Sequence, residues 1–190
     1  MRRHKLVKTM VAAGLATLWG GWANADGGSN SEDFTAHLTG FQEVGALNNE
    51  TGAILTNGTG TLQLHLDRKA KMATFKLTFS DLSSSVTQAH IHFGKVHVPG
   101  GIFVFFCTNL GNGPAGTQTC PSTGGTVTGT ITAANIIAPT TPTNQGITAG
   151  NFDVLVEALG AHAAYANIHT TNFPAGEIRG QIHPEEGDHR

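Results

Sequence analysis

Histidine is the residue type in this chain with the clearest potential for chemistry. The sequence of 190 residues contains ten histidines, nine of them after residue 25. His90 and His92 are two positions apart in the segment 86–93, where polar and apolar residues alternate as in a β-strand. In a strand both imidazoles leave the same side of the sheet, about 6.6 Å apart along it, so they can converge on one ion.

His169 is a third candidate ligand, because it ends a second alternating segment, 163–170, on the same face as Tyr165 and Asn167. Neutral imidazole nitrogens suit copper and zinc. The sequence therefore predicts one copper or zinc site formed by His90, His92 and His169, with an open fourth coordination position. The alternative is that these histidines are the polar side of a half-solvated sheet.

The remaining histidines of interest have no such partner at strand spacing, and we expect them on the surface. They are His37, His65, His97, His162 and His189.

No motif of a known catalytic site accompanies the histidines. The sequence has no H-E-x-x-H, no G-x-S-x-G, no C-x-x-C and no glycine-rich phosphate loop. We therefore expect a binding or structural protein with no catalytic residues. The alternative is a histidine-rich protein that binds copper or zinc, with or without redox activity. The expected partner of this protein is an extracytoplasmic protein or a small ligand.

The first 25 residues read as an export signal. Four basic residues precede an apolar run, and Ala23-Asn24-Ala25 supplies small residues where a signal peptidase cleaves. The apolar run is shorter than the roughly 20 residues that a membrane span needs, although an uncleaved anchor is the alternative. We expect a secreted or periplasmic protein without a transmembrane anchor after cleavage, by the general or the twin-arginine route.

Removing the signal makes the protein acidic. Four of the 11 lysines and arginines lie in 1–25 and none of the 13 acidic residues do, which leaves seven against 13, a formal net charge of −6. A nucleic-acid partner would require a basic surface, so none is expected.

The two cysteines, Cys107 and Cys120, flank a loop with three glycines and no periodicity. In an oxidising compartment such a pair is expected to form a disulfide, and two free thiols are the alternative.

The remaining segments predict the elements that position these residues. Alternation is clearest at 61–66 and 74–79, joined by a charged hairpin, and further strands are predicted at 34–41, 86–93, 102–106, 124–132, 163–170 and 177–183. We expect the apolar run 102–106 to be a buried central strand, because both of its faces are apolar. One helix is predicted between Thr148 and Gly160. The fold class is all-β, an antiparallel Greek-key-like β-sandwich with at most one short helix.

These segments divide the chain into a signal peptide at 1–25, a disordered spacer at 26–33, a β-sandwich domain at 34–183 and a polar tail at 184–190. One set of apolar residues is expected to face the core: Leu62, Leu64, Leu66, Phe75, Leu77, Phe79, Ile91, Phe93, Ile168 and Ile178.

Three segments resemble the CHRD domain, which is found repeated in chordin and singly in bacterial exported proteins. Residues 164–170 (Ala-Tyr-Ala-Asn-Ile-His-Thr) and 174–182 (Pro-Ala-Gly-Glu-Ile-Arg-Gly-Gln-Ile) are similar to its C-terminal signature, with Ala166 where valine is usual. Residues 89–94 resemble its central Ala-His-Ile-His-x-Gly, and residues 34–43 resemble its opening motif.

The resemblance implies an extracytoplasmic β-sandwich like that of copper–zinc superoxide dismutase, with no established catalytic activity. The sequence lacks the histidine-rich zinc loop that dismutase chemistry requires, so the likeness implies the fold and not the reaction. Structural roles in the motif are expected for Tyr165, Asn167, Glu177, Arg179 and Gly180. Glu177 and Arg179 are expected to pair with each other, or with Asn167 and His169 across the hairpin.

Overall fold

The computed structural model describes residues 30–45, 52–140 and 145–185. Nine strands and one α-helix lie in these ranges, in the following order: β1 (Ser31–Thr39), β2 (Thr59–Asp67), β3 (Met72–Ser80), β4 (Val86–Phe93), β5 (Gly101–Thr108), β6 (Gly125–Ile131), α1 (Asp153–Gly160), β7 (Ala164–Thr170), β8 (Ile178–Gln181) and β9 (His183–Pro184). Two short 3₁₀ turns, Gly40–Gln42 and Ala133–Asn135, complete the described secondary structure.

All strand pairings in the described chain are antiparallel. The strand order is β5-β4-β7-β8-β1-β2-β3-β6, and the short β9 pairs with β1. β5 and β6, at the two ends of this order, also contact one another, so the sheet is nearly closed and sandwich-like. The predicted all-β antiparallel class with one short helix is confirmed.

The alternation of β2 and β3 produces the core as predicted. The inward residues of both strands, Leu62 to Leu66 and Phe75 to Phe79, are at most 7% exposed. Ile91, Ile168 and Ile178 are fully buried in the same cluster, and Phe93 packs against it while half-buried. Burying one such side chain stabilises the fold by about 1.5–3 kcal/mol.

β5 is not the central strand that its apolar sequence predicted. It lies at one end of the strand order, and its register against β4 shifts twice, between Ala89 and His90 and between Ile91 and His92. Such irregularities break simple alternation. Phe103 and Phe106 are therefore buried while Phe105 is only half-buried.

The helix is shorter than predicted, because it begins at Asp153 and not at Thr148. Gly150 has a φ of +82°, a left-handed conformation that ends regular helix geometry. Within the helix, Leu155 and Leu159 are one turn apart and both fully buried.

The predicted domain boundaries differ from the structure at both ends. Ser31–Asp33 belong to β1 and not to a disordered spacer, because they pair with residues 65–67 of β2 and Arg68 donates two hydrogen bonds to Glu32. Pro184, assigned to the tail, belongs to β9. The predicted signal peptide lies outside the described residues. Within the described ranges, no helix is both long enough and apolar enough to cross a bilayer.

The predicted disulfide between Cys107 and Cys120 is confirmed. Cys107 is fully buried in β5 and Cys120 is 8% exposed in the loop that leads to β6. The side chain of Asn109 bonds both backbone groups of Cys120, donating to its carbonyl and accepting from its N–H. The bridge thus links β5 to the long loop that leads to β6.

Replacing both cysteines by alanine is expected to lower the free energy of unfolding by about 3 kcal/mol, the chain-entropy value for a loop of this length. Urea unfolding with and without reductant measures the loss. Reductant should bring the wild type to the stability of the double variant and leave that variant unchanged. Alkylation of both thiols in unreduced protein would contradict the bridge.

Candidate metal centre

The three candidate histidines come together because β4 and β7 are neighbours in the sheet. His90 lies opposite Asn167, and His169 lies opposite Gln88. Alternation sends Ala89 and Ile91 into the main core and the histidines to the other face. His90, His92 and His169 are nevertheless only 0%, 7% and 5% exposed. The interpretation as a half-solvated polar face is therefore wrong for these three residues.

The imidazoles form a compact triangle. Ring centroids lie 5.5 Å apart for His90 and His92, 5.0 Å for His90 and His169, and 5.8 Å for His92 and His169. One nitrogen from each ring lies within 4.8 Å of the others. Nitrogens around a metal at bonds of about 2.0–2.1 Å lie about 3.3–3.6 Å apart, so small side-chain rotations would complete a site.

Backbone carbonyls fix the tautomers of two of the rings. His92 Nδ1 is 2.9 Å from the carbonyl oxygen of Gly100, and His169 Nδ1 is 3.0 Å from that of Pro174. A carbonyl only accepts, so both Nδ1 atoms carry the proton and donate. The Nε2 atoms of His92 and His169 are then lone-pair acceptors, and both are buried without a hydrogen-bond partner.

His90 has no hydrogen-bond partner on either ring nitrogen. Its ring packs edge-on against Phe105, with centroids 4.3 Å apart. The register shifts between β4 and β5 place Phe105 opposite His90 and thus on the histidine face. This contact could not be predicted from the sequence, because a β-bulge cannot be read from an apolar run of residues.

All three imidazoles are held neutral. Burial lowers the pKa of His90 well below its usual range, and His169 and His92 lower it further. Burial likewise lowers the pKa of His92 to about 3 and that of His169 to about 4, in spite of the opposing effect of their carbonyl partners. Neutral imidazole is the form that binds metals.

Tyr165 supports His92 in two ways. Its ring stacks on the His92 ring with centroids 4.8 Å apart and an interplanar angle of 8°. Its hydroxyl accepts a hydrogen bond from the N–H of Gly100, whose carbonyl oxygen accepts from His92. Gly100 therefore links the Tyr165 hydroxyl to His92 through its backbone. The position requires glycine, because a Cβ there would overlap the carbonyl oxygen of Phe93.

Arg179 covers the outer side of Tyr165. Its guanidinium carbon lies 3.5 Å from the centre of the Tyr165 ring, and its Nη2 donates to the carbonyl oxygens of Lys95 and Val98. Burial lowers the pKa of Arg179, while Tyr165 and Glu43 oppose that shift. Arg179 therefore ties segment 94–100, which contains Gly100, to β8.

Asn167 connects the centre to Glu43, a residue that the sequence offered only as part of the opening motif. Asn167 Nδ2 donates to Glu43 Oε2 at 2.6 Å and to the carbonyl oxygen of Ile178 at 3.0 Å. Burial raises the pKa of Glu43. Gly176, with a φ of +137°, passes so close that a Cβ would overlap Glu43 Oε2.

The expected pairing of Glu177 with Arg179 is wrong. Fully buried Glu177 accepts hydrogen bonds from Thr56 Oγ1, Thr170 Oγ1 and both the N–H and the hydroxyl of Ser83. Burial alone raises the pKa of Glu177, but these bonds outweigh it and the pKa is lowered. Gly180 has the expected structural role, since a Cβ would overlap the carbonyl oxygen of His37 in β1.

Of the histidines expected on the surface, four are exposed as predicted: His37, His65, His97 and His162. His65 pairs with Asp33. His189 lies outside the described residues.

Replacing Glu177 by glutamine is expected to reduce the free energy of unfolding by roughly 2–3 kcal/mol at neutral pH, because donors that now face a carboxylate would face an amide. The folded pKa is lowered, so the stabilisation is present above the unfolded pKa of about 4.3 and disappears as the pH falls through the folded value. Denaturant unfolding across pH should thus show the two proteins converging in acid. The matched control is Glu157→Gln on the exposed side of α1, which should change stability by less than about 0.5 kcal/mol. Equal effects of the two substitutions would contradict the role of Glu177.

The geometry can be compared with known proteins. No curated protein and no solved structure matches the chain significantly. The family model of the CHRD domain matches residues 34–182, which is most of the chain and includes every residue of the centre. The chain belongs to the CHRD domain family.

Proposed function

We propose that this protein is an exported, non-catalytic binding module of the CHRD family that holds a transition metal ion, copper or zinc, between His90, His92 and His169. The observation that carries the proposal is that three buried imidazoles converge, and that their facing nitrogens have no hydrogen-bond partner.

A metal ion would satisfy the inward nitrogens of the three rings together. His92 Nε2 and His169 Nε2 are both acceptors, so they cannot bond one another. A buried polar atom without a partner costs about 1–3 kcal/mol. One water molecule can donate to both Nε2 atoms and accept from the N–H of His90, whereas one cation accepts a lone pair from each of the three rings.

The surroundings of the centre resemble the supports of known metal sites. Metal-bound histidines usually donate their second ring N–H to a carbonyl or carboxylate, which fixes the ring orientation. His92 and His169 do so to Gly100 and Pro174. None of the three histidines is more than 7% exposed, and such burial favours a role in holding an ion over a role in catalysis on a substrate.

Export is supported by two independent features. The pattern of residues 1–25 is that of a cleavable signal, and Cys107–Cys120 is a disulfide of the kind that persists in oxidising compartments.

His90→Leu tests the metal site directly. Since neither nitrogen of His90 has a partner, leucine removes a buried polar group and keeps an apolar contact with Phe105. The metal-free variant should be as stable as the wild type to within about 1 kcal/mol, while binding of Cu(I), Cu(II) and Zn(II) falls at least about 100-fold. Thermal unfolding and competition titrations with chromogenic chelators measure the two effects.

His37→Ala is the control, because His37 is an exposed histidine on β1 and its loss should leave metal binding unchanged. Unaltered metal affinity in the folded His90→Leu protein would show that the histidine triangle is not the site.

Tyr165→Phe tests how the centre is supported. Phenylalanine keeps the stack on His92 but removes the acceptor for the Gly100 N–H, so the carbonyl that orients His92 is held less firmly. Metal affinity should fall roughly 10-fold, in the range typical of lost outer-shell partners. His90→Leu in the same background should add no further stability loss. An unchanged affinity would assign the hydroxyl to folding alone.

A further inference from the structure

The metal-binding proposal leaves open which ion the centre prefers, and the charge of its surroundings bears on that choice. The three candidate ligands are neutral, and the cluster contains no carboxylate and no thiolate. A bound ion would therefore keep its full charge inside the protein. The contacts that follow decide how well that charge is tolerated.

The side chains that pack directly against the histidine rings are aromatic, and two ionisable groups lie behind them: the guanidinium of Arg179 and the carboxyl of Glu43, whose pKa is raised by burial. Phe105 packs edge-on against His90, and Tyr165 stacks on His92. The guanidinium of Arg179 lies 3.5 Å from the centre of the Tyr165 ring, whose plane stacks on His92, so its positive charge repels a cation held between the histidines. This repulsion is twice as large for a divalent ion.

Burial of the centre also favours a monovalent ion over a divalent one. The idealised penalty for moving an ion from water into a low-dielectric site rises with the square of its charge, so it is about four times larger for a divalent ion. Neutral ligands and a nearby guanidinium do not compensate for that difference.

The coordination number also favours Cu(I) over Zn(II). Zn²⁺ in proteins is almost always four-coordinate, and with three histidines it requires a water or an anion in the fourth position. Cu(I) is a closed-shell monovalent ion that is stable with three nitrogen ligands. The Phe105 ring, which packs edge-on against His90, has no atom that could serve as a fourth ligand to a metal ion.

We infer that the centre is a Cu(I) site that discriminates against Zn(II) because it is buried, neutral and adjacent to a buried guanidinium. The inference rests on the proposed metal-binding function and specifies its ion.

The test uses the folded, metal-free protein with its disulfide intact. Cu(I) is supplied under anaerobic conditions as its acetonitrile complex and titrated against bicinchoninate, and Zn(II) is titrated in parallel against a chromogenic zinc chelator. Cu(I) should bind at least about a thousandfold more tightly than Zn(II). Binding of neither ion would overturn the proposed function itself. Zinc affinity equal to or above that of Cu(I) would leave the metal site standing and overturn the inference.

A matched pair of variants tests the cause. Phe105 is half-buried on the end strand β5, so Phe105→Glu places a carboxylate beside His90 where a polar side chain can reach solvent. Phe105→Gln has the same shape without the charge. The glutamate variant should narrow the preference for Cu(I) over Zn(II) by roughly tenfold relative to the glutamine variant, because the carboxylate attracts a divalent ion more strongly. The same preference in both variants would overturn the electrostatic explanation.

Discussion

The structure depends on the removal of three neutral imidazoles from water on the face of the sheet that points away from the main core. In an antiparallel sheet with one solvated face, alternating polar residues keep their contact with water. Here His90, His92 and His169 lose that contact and receive only two hydrogen bonds in return, both through Nδ1. Their remaining nitrogens are the largest concentration of unsatisfied polar atoms among the described residues.

The segments that cover this face are held by the residues that the family signature contains. Arg179 bonds two carbonyls of segment 94–100, and Tyr165 bonds a third residue of the same segment, Gly100. Glu177 gathers donors from three separate parts of the chain, Thr56, Ser83 and Thr170. The side chain of Glu177, just before β8, is occupied by these donors, whereas Arg179 within β8 binds segment 94–100, and this explains why the two do not pair.

Alternation in the sequence was sufficient to predict most of the strands, the core leucines of β2 and the shared face of His90 and His92. It was not sufficient to predict that this face is buried, because burial results from loops whose sequence has no period. The position of β5 was mispredicted for a related reason. Its apolar residues fill the core from an end strand through two register shifts, and neither shift leaves a mark in the composition. Phe105 and Gly100 were missed as neighbours of the histidines for these reasons, and the helix was overextended past Gly150.

The supports of the histidines also determine what kind of site this can be. His92 and His169 are each fixed by a backbone carbonyl, so their lone pairs are aimed before any ligand arrives. His90 has no hydrogen-bond partner on either nitrogen, so its ring is oriented by packing against Phe105 and the other two histidines. The three ligand nitrogens lie within 4.8 Å of one another, so side-chain rotations that shorten these separations to about 3.3–3.6 Å would bring them to coordination distance of one ion. The metal site proposed above would thus have two ligands oriented by the backbone in advance, and its selectivity would depend on the charge of the ion more than on the rearrangement of the protein.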